Sequence, residues 1–172
     1  MITYKHSQWY NIDHAGYYPQ VAWLTYEIGQ TYRGHKKWLD EKFFPGLMDS
    51  YTRGYAFAID PCSQEWARVN KSLPTFDGTL VGCSLLKNEP EEKKICCLYV
   101  NNQYRKQGIA SQLIKDSFEL LDTDKPLMTV AENNLEQLTP LIKKFGFELT
   151  SVKESVYKQG VKEYYYNEGL AR

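Results

Sequence analysis

The residues that most readily combine into a chemical device are Arg105-Lys106-Gln107-Gly108-Ile109-Ala110. They follow an apolar run, Ile95 to Val100, and precede a stretch of helical periodicity that starts at Ala110. The first N–H groups of a helix have no partner within it, and the helix dipole adds partial positive charge at the same end. A strand, a glycine turn and a helix start therefore make a holder for phosphate. Gly108 keeps a Cβ out of an anion's way, and Arg105 and Lys106 bring positive charge. The loop alone is a common pattern, so its flanks carry the weight. Leu113, Ile114, Ser117, Phe118 and Leu121 fall on one helical face. The unbroken apolar run before the loop suits a central strand covered on both faces.

A sheet must hold this strand in place, and the rest of the chain supplies candidates. Ile2 to Trp9 reads as a first strand. Tyr17 to Thr31 reads as a helix, with Val21, Leu24, Ile28 and Tyr32 near one register. A second helix is expected over Lys36 to Phe44, stopped by Pro45-Gly46, with helical character resuming from Leu47 to Tyr51. Gly54 to Ile59 reads as a strand ended by Asp60-Pro61. Cys62 to Phe76 reads as a long connection with local structure. Thr79 to Leu86 is the next strand, and the charged patch Glu89 to Lys94 a solvated turn. After a strand over Pro126 to Ala131, Asn134 and Gln137 resemble a capping box. The helix that follows carries Leu135, Leu138, Leu141, Ile142 and Phe145 on one face, and Pro140 is expected to kink or restart it at Thr139. Gly146 ends it. Phe147 to Ser155 and Lys162 to Asn167 are the last two strands. The tyrosine-rich stretch Glu163 to Asn167 is read as an edge that a partner chain would cover, which suggests a homodimer.

The chain has 172 residues, which fits one domain over 1–172 with a core large enough to need no disulfide or metal. Its 21 basic and 21 acidic residues balance, which argues against a nucleic-acid partner held by bulk charge. Cys62, Cys83, Cys96 and Cys97 have no metal-ligand spacing with His6, His14 or His35. They are expected to be buried, reduced thiols of a cytoplasmic protein, and no metal is expected. The polar start, Met1 to His6, does not read as a signal peptide, and no apolar run approaches a membrane span. No membrane partner is expected.

Two further segments give the pattern a family likeness. Strand, Arg105-x-x-Gly108-x-Ala110, helix, strand, Asn, helix and then Leu141-Ile142-Lys143-Lys144-Phe145-Gly146-Phe147 resemble the GNAT superfamily of acyl-CoA-dependent N-acyltransferases. The likeness runs from Gly78 to Thr150, and from Met1 to Phe76 it is one of element order. It implies an α+β fold in α/β/α layers, with a mixed central sheet of about six to seven strands and about four helices. It also implies acetyl-CoA as co-substrate and a primary amine, on a small molecule or on a protein or peptide, as acceptor. By position, Arg105, Lys106, Gln107, Gly108, Ile109, Ala110 and Ser111 would hold the pyrophosphate. Leu98, Tyr99 and Val100 would bond the pantetheine arm, and Asn133 would add a further cofactor contact.

The resemblance implies direct attack of the amine on the thioester. A backbone N–H near Val100 would polarise the carbonyl and hold the oxyanion. Many members carry a tyrosine four residues before the helix-ending glycine, where it protonates the leaving thiolate; this chain has Ile142. The strand position where some members carry a base carboxylate falls near Lys94. Glu132, at the carboxyl end of a predicted central strand, is the first choice of base. Tyr17, Tyr18, Trp23, Tyr26, Tyr32 and Trp38 are candidates for an acceptor pocket, with core packing as the other reading. Tyr164, Tyr165 and Tyr166 alternate, so at least one is expected to face the cleft side as an acid or acceptor wall, with core and edge packing for two of the three. Lys143 and Lys144 could reach the adenosine 3′-phosphate. Two alternatives stay open: a GNAT-fold module that binds acyl-CoA without efficient catalysis, and a different α/β protein with another phosphate ligand.

Overall fold

The computed structural model describes residues 1–7, 14–32, 34–47, 52–69 and 78–170. Its strands are β1 (Thr3–His6), β2 (Arg53–Asp60), β3 (Thr79–Glu89), β4 (Glu92–Val100), β5 (Leu127–Ala131), β6 (Leu149–Glu154) and β7 (Lys162–Tyr166). They form one seven-stranded sheet in the order β1-β2-β3-β4-β5-β7-β6. Every neighbouring pair is antiparallel except β4 and β5, which run parallel.

The period-two rule assigns the two faces of the sheet. Tyr55, Phe57 and Ile59 of β2 point to one face, into a cluster with Tyr17, Val21 and Leu24 of α1 (His14–Leu24). The same cluster takes in Leu39 and Phe43 from the bent arm formed by α2 (Tyr26–Thr31), α3 (His35–Trp38) and a π-helical turn, Leu39–Phe43. Ala56 and Ala58 point the other way and pack on Ile109 and Leu113 of α5 (Ile109–Leu121). Further along, Ile114 and Leu121 of α5 share a cluster with Met128 and Val130 of β5 and Ile142 of α6 (Leu135–Lys144). The result is the expected α/β/α layering: seven strands between four helical units, namely α1, the bent arm, α5 and α6. A short α4 (Glu65–Val69) lies between β2 and β3.

Local chemistry explains most departures from the sequence expectations. The first strand is Thr3–His6, shorter than expected; residues 8–13 lie outside the described residues. The first helical stretch breaks at Thr25, whose hydroxyl donates to the Val21 carbonyl (2.8 Å) and so competes with the helix ladder. The expected turn Glu89 to Lys94 narrows to Pro90-Glu91, because β3 and β4 run up to it. Its charges are engaged: Glu89 accepts from Arg53 (2.7 Å) and Lys87 (2.9 Å). In the expected long connection, Trp66 of α4 is buried at 2% exposure. The rest of that segment, 70–77, is outside the described residues, as are 48–51 of the expected helical stretch to Tyr51.

Helix α6 runs through Pro140 without a break. Only the Glu136 carbonyl loses its donor there, and Glu136 is exposed to water. No capping box forms at its start, since the Asn134 side chain makes no cap bond. Its end is as expected: Gly146 takes φ +65, and the Phe147 N–H donates back to the Ile142 carbonyl (3.0 Å). Finally, β7 is not an edge. It lies between β5 and β6, so β6 is the edge strand on that side of the sheet, and the partner-covered edge inferred from Glu163 to Asn167 is not there.

Candidate active site

The two parallel strands share only two register pairs, Lys94 with Leu127 and Ile95 with Met128, and then part. The cause lies in β4. Leu85 faces Cys97 while Leu86 faces Ile95, so Cys96 is an extra residue, a β-bulge at the point of separation. A bulge bends its strand and adds local twist. Beyond it, β4 stays with β3 on one side and leaves β5 on the other.

The backbone of β4 is thereby left with groups to offer. The Asn101 N–H donates to the Val81 carbonyl (2.9 Å), which sets the alternation of the antiparallel ladder. Leu98 and Val100, opposite Ser84 and Gly82, fall on the narrow, non-bonded pairs. Their peptide groups therefore turn away from β3 toward the gap. The Val100 carbonyl indeed accepts from Arg105 Nε (3.1 Å) on that side. The gap opens into a cleft of about 550 Å³, a size that suits a small-molecule site. β4, β5, the bent arm and α6 wall it, with Tyr157 of the β6–β7 turn at its side.

The Arg105 to Ala110 loop stands at the mouth of this cleft. Gly108 is the N-cap of α5 with φ +83, a conformation that costs a side chain about 1–2 kcal/mol. The first bond of the helix joins the Gln112 N–H to the Gly108 carbonyl (3.1 Å). The N–H groups of Ile109, Ala110 and Ser111 consequently have no acceptor within the helix. Ile109 turns its side chain into the core at 2% exposure, leaving its backbone for a ligand. Lys106 and Gln107 are exposed. Arg105 reaches across the cleft mouth to Gln137 of α6 (3.3 Å) and lies over the Tyr99 ring. Lys144 donates to the Ser111 hydroxyl (3.1 Å), which brings a further cation beside the helix start.

Other sequence candidates divide. Leu98, Tyr99 and Arg105 line the cleft; Val100 does not, and its side chain is buried. Glu132 and Asn133 sit in an exposed 3-10 turn after β5, and neither lines the cleft. Of the six N-terminal aromatics, Tyr32 and Trp38 line it. Tyr17 is core, Tyr18 bonds Asp40, Trp23 packs on Trp66, and Tyr26 is exposed. Tyr164, Tyr165 and Tyr166 pack into the fold and none lines the cleft. Ile142, where the family tyrosine would be, is buried among apolar side chains. Lys94 does line the cleft, at its closed end.

Sequence reasoning missed two groups. Glu163 of β7, opposite Ala131 of β5, is 1% exposed, and neither carboxylate oxygen completes a hydrogen bond among the described residues. Burial pushes its carboxyl above the ordinary range, against the pull of the adjacent Tyr32 hydroxyl and the Lys94 charge. The Tyr32 phenol is itself held well above its usual value, by burial and then by Glu163. The second group is His35, on the cleft wall, whose Nε2 lies 2.8 Å from the Thr25 hydroxyl. Burial lowers it from 6.5 to about 4, so it is neutral at physiological pH. At the bulge itself, burial pushes the Cys96 thiol up to about 12, which keeps it a thiol rather than a nucleophile.

His35 carries a stability prediction. Its value falls on folding, so the stability that depends on the neutral ring is complete above about pH 6.5 and is lost as pH drops toward about 4. A His35→Asn variant should show a shallower fall of Tm across that window in thermal melts. An unchanged slope would mean that the ring is free to ionise in the fold.

The sheet is mixed and splits between its two parallel strands, with the start of α5 beside the split. The model of the acetyltransferase (GNAT) domain matches residues 62–166, more than half of the chain, and the chain belongs to that family. No curated protein sequence matches it. Among solved structures, the NatC complex bound to Gag peptide and CoA contains a chain with TM-score 0.62 and 17% identity, covering 96% of each chain. Arabidopsis thaliana NAA60 in complex with a bisubstrate analogue gives TM-score 0.60 and 16% identity, again over 96% of each. The ribosomal-protein-S18-alanine N-acetyltransferase of Escherichia coli gives TM-score 0.61 and 12% identity, over 96% of this chain and 92% of that one. At such identities the likeness shows the fold.

Proposed function

We propose that this protein, acting as one domain, moves the acetyl group of acetyl-CoA to a primary amine by direct attack on the thioester. The carrying observation is the parting of β4 from β5 after Ile95, which turns the Leu98 and Val100 peptide groups to a cleft beside the α5 start. In this reading the pyrophosphate lies on the N–H groups of Ile109, Ala110 and Ser111 with Gly108 beneath it. The pantetheine arm runs along Leu98 to Val100 as an added, partial strand. The amine nitrogen bonds to the carbonyl carbon, and a β4 backbone N–H holds the oxyanion. Leu98 is the better donor, because it lines the cleft and Val100 does not. The C–S bond then breaks, and the thiolate takes a proton. A thiol with an ordinary value near ~8.5 leaves tolerably without a dedicated acid, so Ile142 is compatible with turnover.

The relatives whose names mention a peptide bound with CoA or an alanine substrate support a peptide or protein amine as one acceptor class. Ile142, together with the lack of any carboxylate among the described lining residues, favours the second reading, an acyl-CoA-binding module without efficient catalysis. An acceptor screen that follows free thiol from acetyl-CoA separates the two. Amine-dependent thiol release with a matching acetylated product supports transfer. Tight acetyl-CoA binding with no release over diverse amines supports the module.

A further inference from the structure

We propose that Tyr32 and Glu163 form a two-residue proton relay that accepts the proton of the incoming ammonium group. This rests on the acetyl-transfer reading above and supplies the carboxylate that is absent from the described cleft lining. Glu163 sits behind the cleft wall, opposite Ala131 in the β5–β7 ladder, and Ala131 and Tyr32 both line the cleft; the Tyr32 hydroxyl approaches the carboxylate without completing a hydrogen bond to it. The edge of the Tyr157 ring closes on the Tyr32 ring, with centroids 5.5 Å apart and planes at 79°. A buried carboxylate with no completed hydrogen bond is costly to keep, so a structure that retains one needs a reason for it.

The step balances without any further reagent. The Tyr32 oxygen takes a proton from R–NH3+ as its own O–H proton passes to the Glu163 carboxylate. One N–H bond breaks, one carboxyl O–H bond forms, and Tyr32 ends neutral as it began. The freed amine attacks the thioester, the second nitrogen proton goes to the departing thiolate, and the Glu163 proton returns to water through Tyr32. The groups that face Glu163 are Tyr32 from the arm, Lys94 from β4, and Tyr165 from its own strand, with Tyr157 behind Tyr32. Lys94 favours the charged carboxylate and keeps it available as a base, while burial makes it a stronger base than an exposed carboxylate. Tyr32 touches the substrate in this scheme, and Glu163 acts through it.

The test uses the full chain with acetyl-CoA and two probe amines, 2-phenylethylamine and a tetrapeptide with a free α-amine, following thiol release against pH. Glu163→Gln is expected to lower kcat by about 100-fold or more, to leave the KM for acetyl-CoA unchanged, and to abolish the acidic limb of the kcat/KM profile. Tyr32→Phe, which leaves the buried carboxylate in place, should do the same. The double variant should be no slower than the slower single one, as expected of residues acting as a unit. Thermal melts establish that each variant folds. A Glu163→Gln enzyme that keeps its rate within threefold, or losses that multiply in the double variant, would overturn the relay while leaving acetyl transfer intact. A wild-type protein that binds acetyl-CoA but releases no thiol with either amine overturns the relay and the transfer reading together.

Discussion

Gly108→Trp is expected to weaken CoA binding by at least ~100-fold while the protein remains folded. Two charge-assisted hydrogen bonds from the α5 start to phosphate, at about 1.5–3 kcal/mol each, would be lost. That sum corresponds to more than two orders of magnitude in affinity. The fold should survive because Gly108 is exposed and a Cβ there meets nothing within 4 Å. The cost is the left-handed backbone, about 1–2 kcal/mol, or a Tm lower by roughly 2–8 °C for a chain of this size. Gly108→Ala should carry the same strain without the indole, and so lose far less affinity. Calorimetry of both variants reads the difference. Equal affinity for tryptophan and wild-type proteins would place the pyrophosphate elsewhere.

A second large effect concerns Glu163, and its direction is unusual for a core substitution. Its carboxyl value is raised on folding, so its contribution favours the fold below the ordinary glutamate value near ~4.3 and is lost as pH climbs through the raised one. Above that window the wild-type fold holds a buried charge with no completed hydrogen bond. Glu163→Gln removes that charge and keeps the shape of the side chain. It should therefore be more stable than wild type at neutral pH, by about 1–2 kcal/mol, with no advantage near pH ~4. Denaturant melts at the two pH values measure this. A glutamine variant less stable than wild type at neutral pH would mean that the carboxylate is well partnered. Gain of stability with loss of rate is what a functional, locally unfavourable group produces.

These two residues also mark how far the sequence could be read. Gly108 was legible because everything it needs is local: an apolar strand before it, a 3.6-residue apolar face after it, and a turn between. The same holds for Gly146 and the α/β/α layering, where period and punctuation act within one segment. Glu163 was not legible. On a strand of alternating side chains a charged residue reads as solvent-facing, and the burial of Glu163 follows from β7 lying between β5 and β6, which its own segment does not reveal. Strand order was hidden for a related reason. Nothing in the periodicity of 149–154 and 162–166 says which strand lies beside β5, so a tyrosine-rich edge and a tyrosine-rich inner strand look alike in sequence. The bulge at Cys96 left no trace either, since a continuous apolar run looks the same with or without an inserted residue. The preference for Glu132 as base followed from its position at a strand end, and a strand end does not say which way a side chain turns.

The direct test of the account is amide hydrogen exchange with and without saturating CoA, read by mass spectrometry on peptides covering 98–100 and 108–112. If the cofactor lies in the split between β4 and β5 with its pyrophosphate on the α5 start, exchange in both peptides slows on binding. Unchanged exchange in both, with CoA bound, would contradict it.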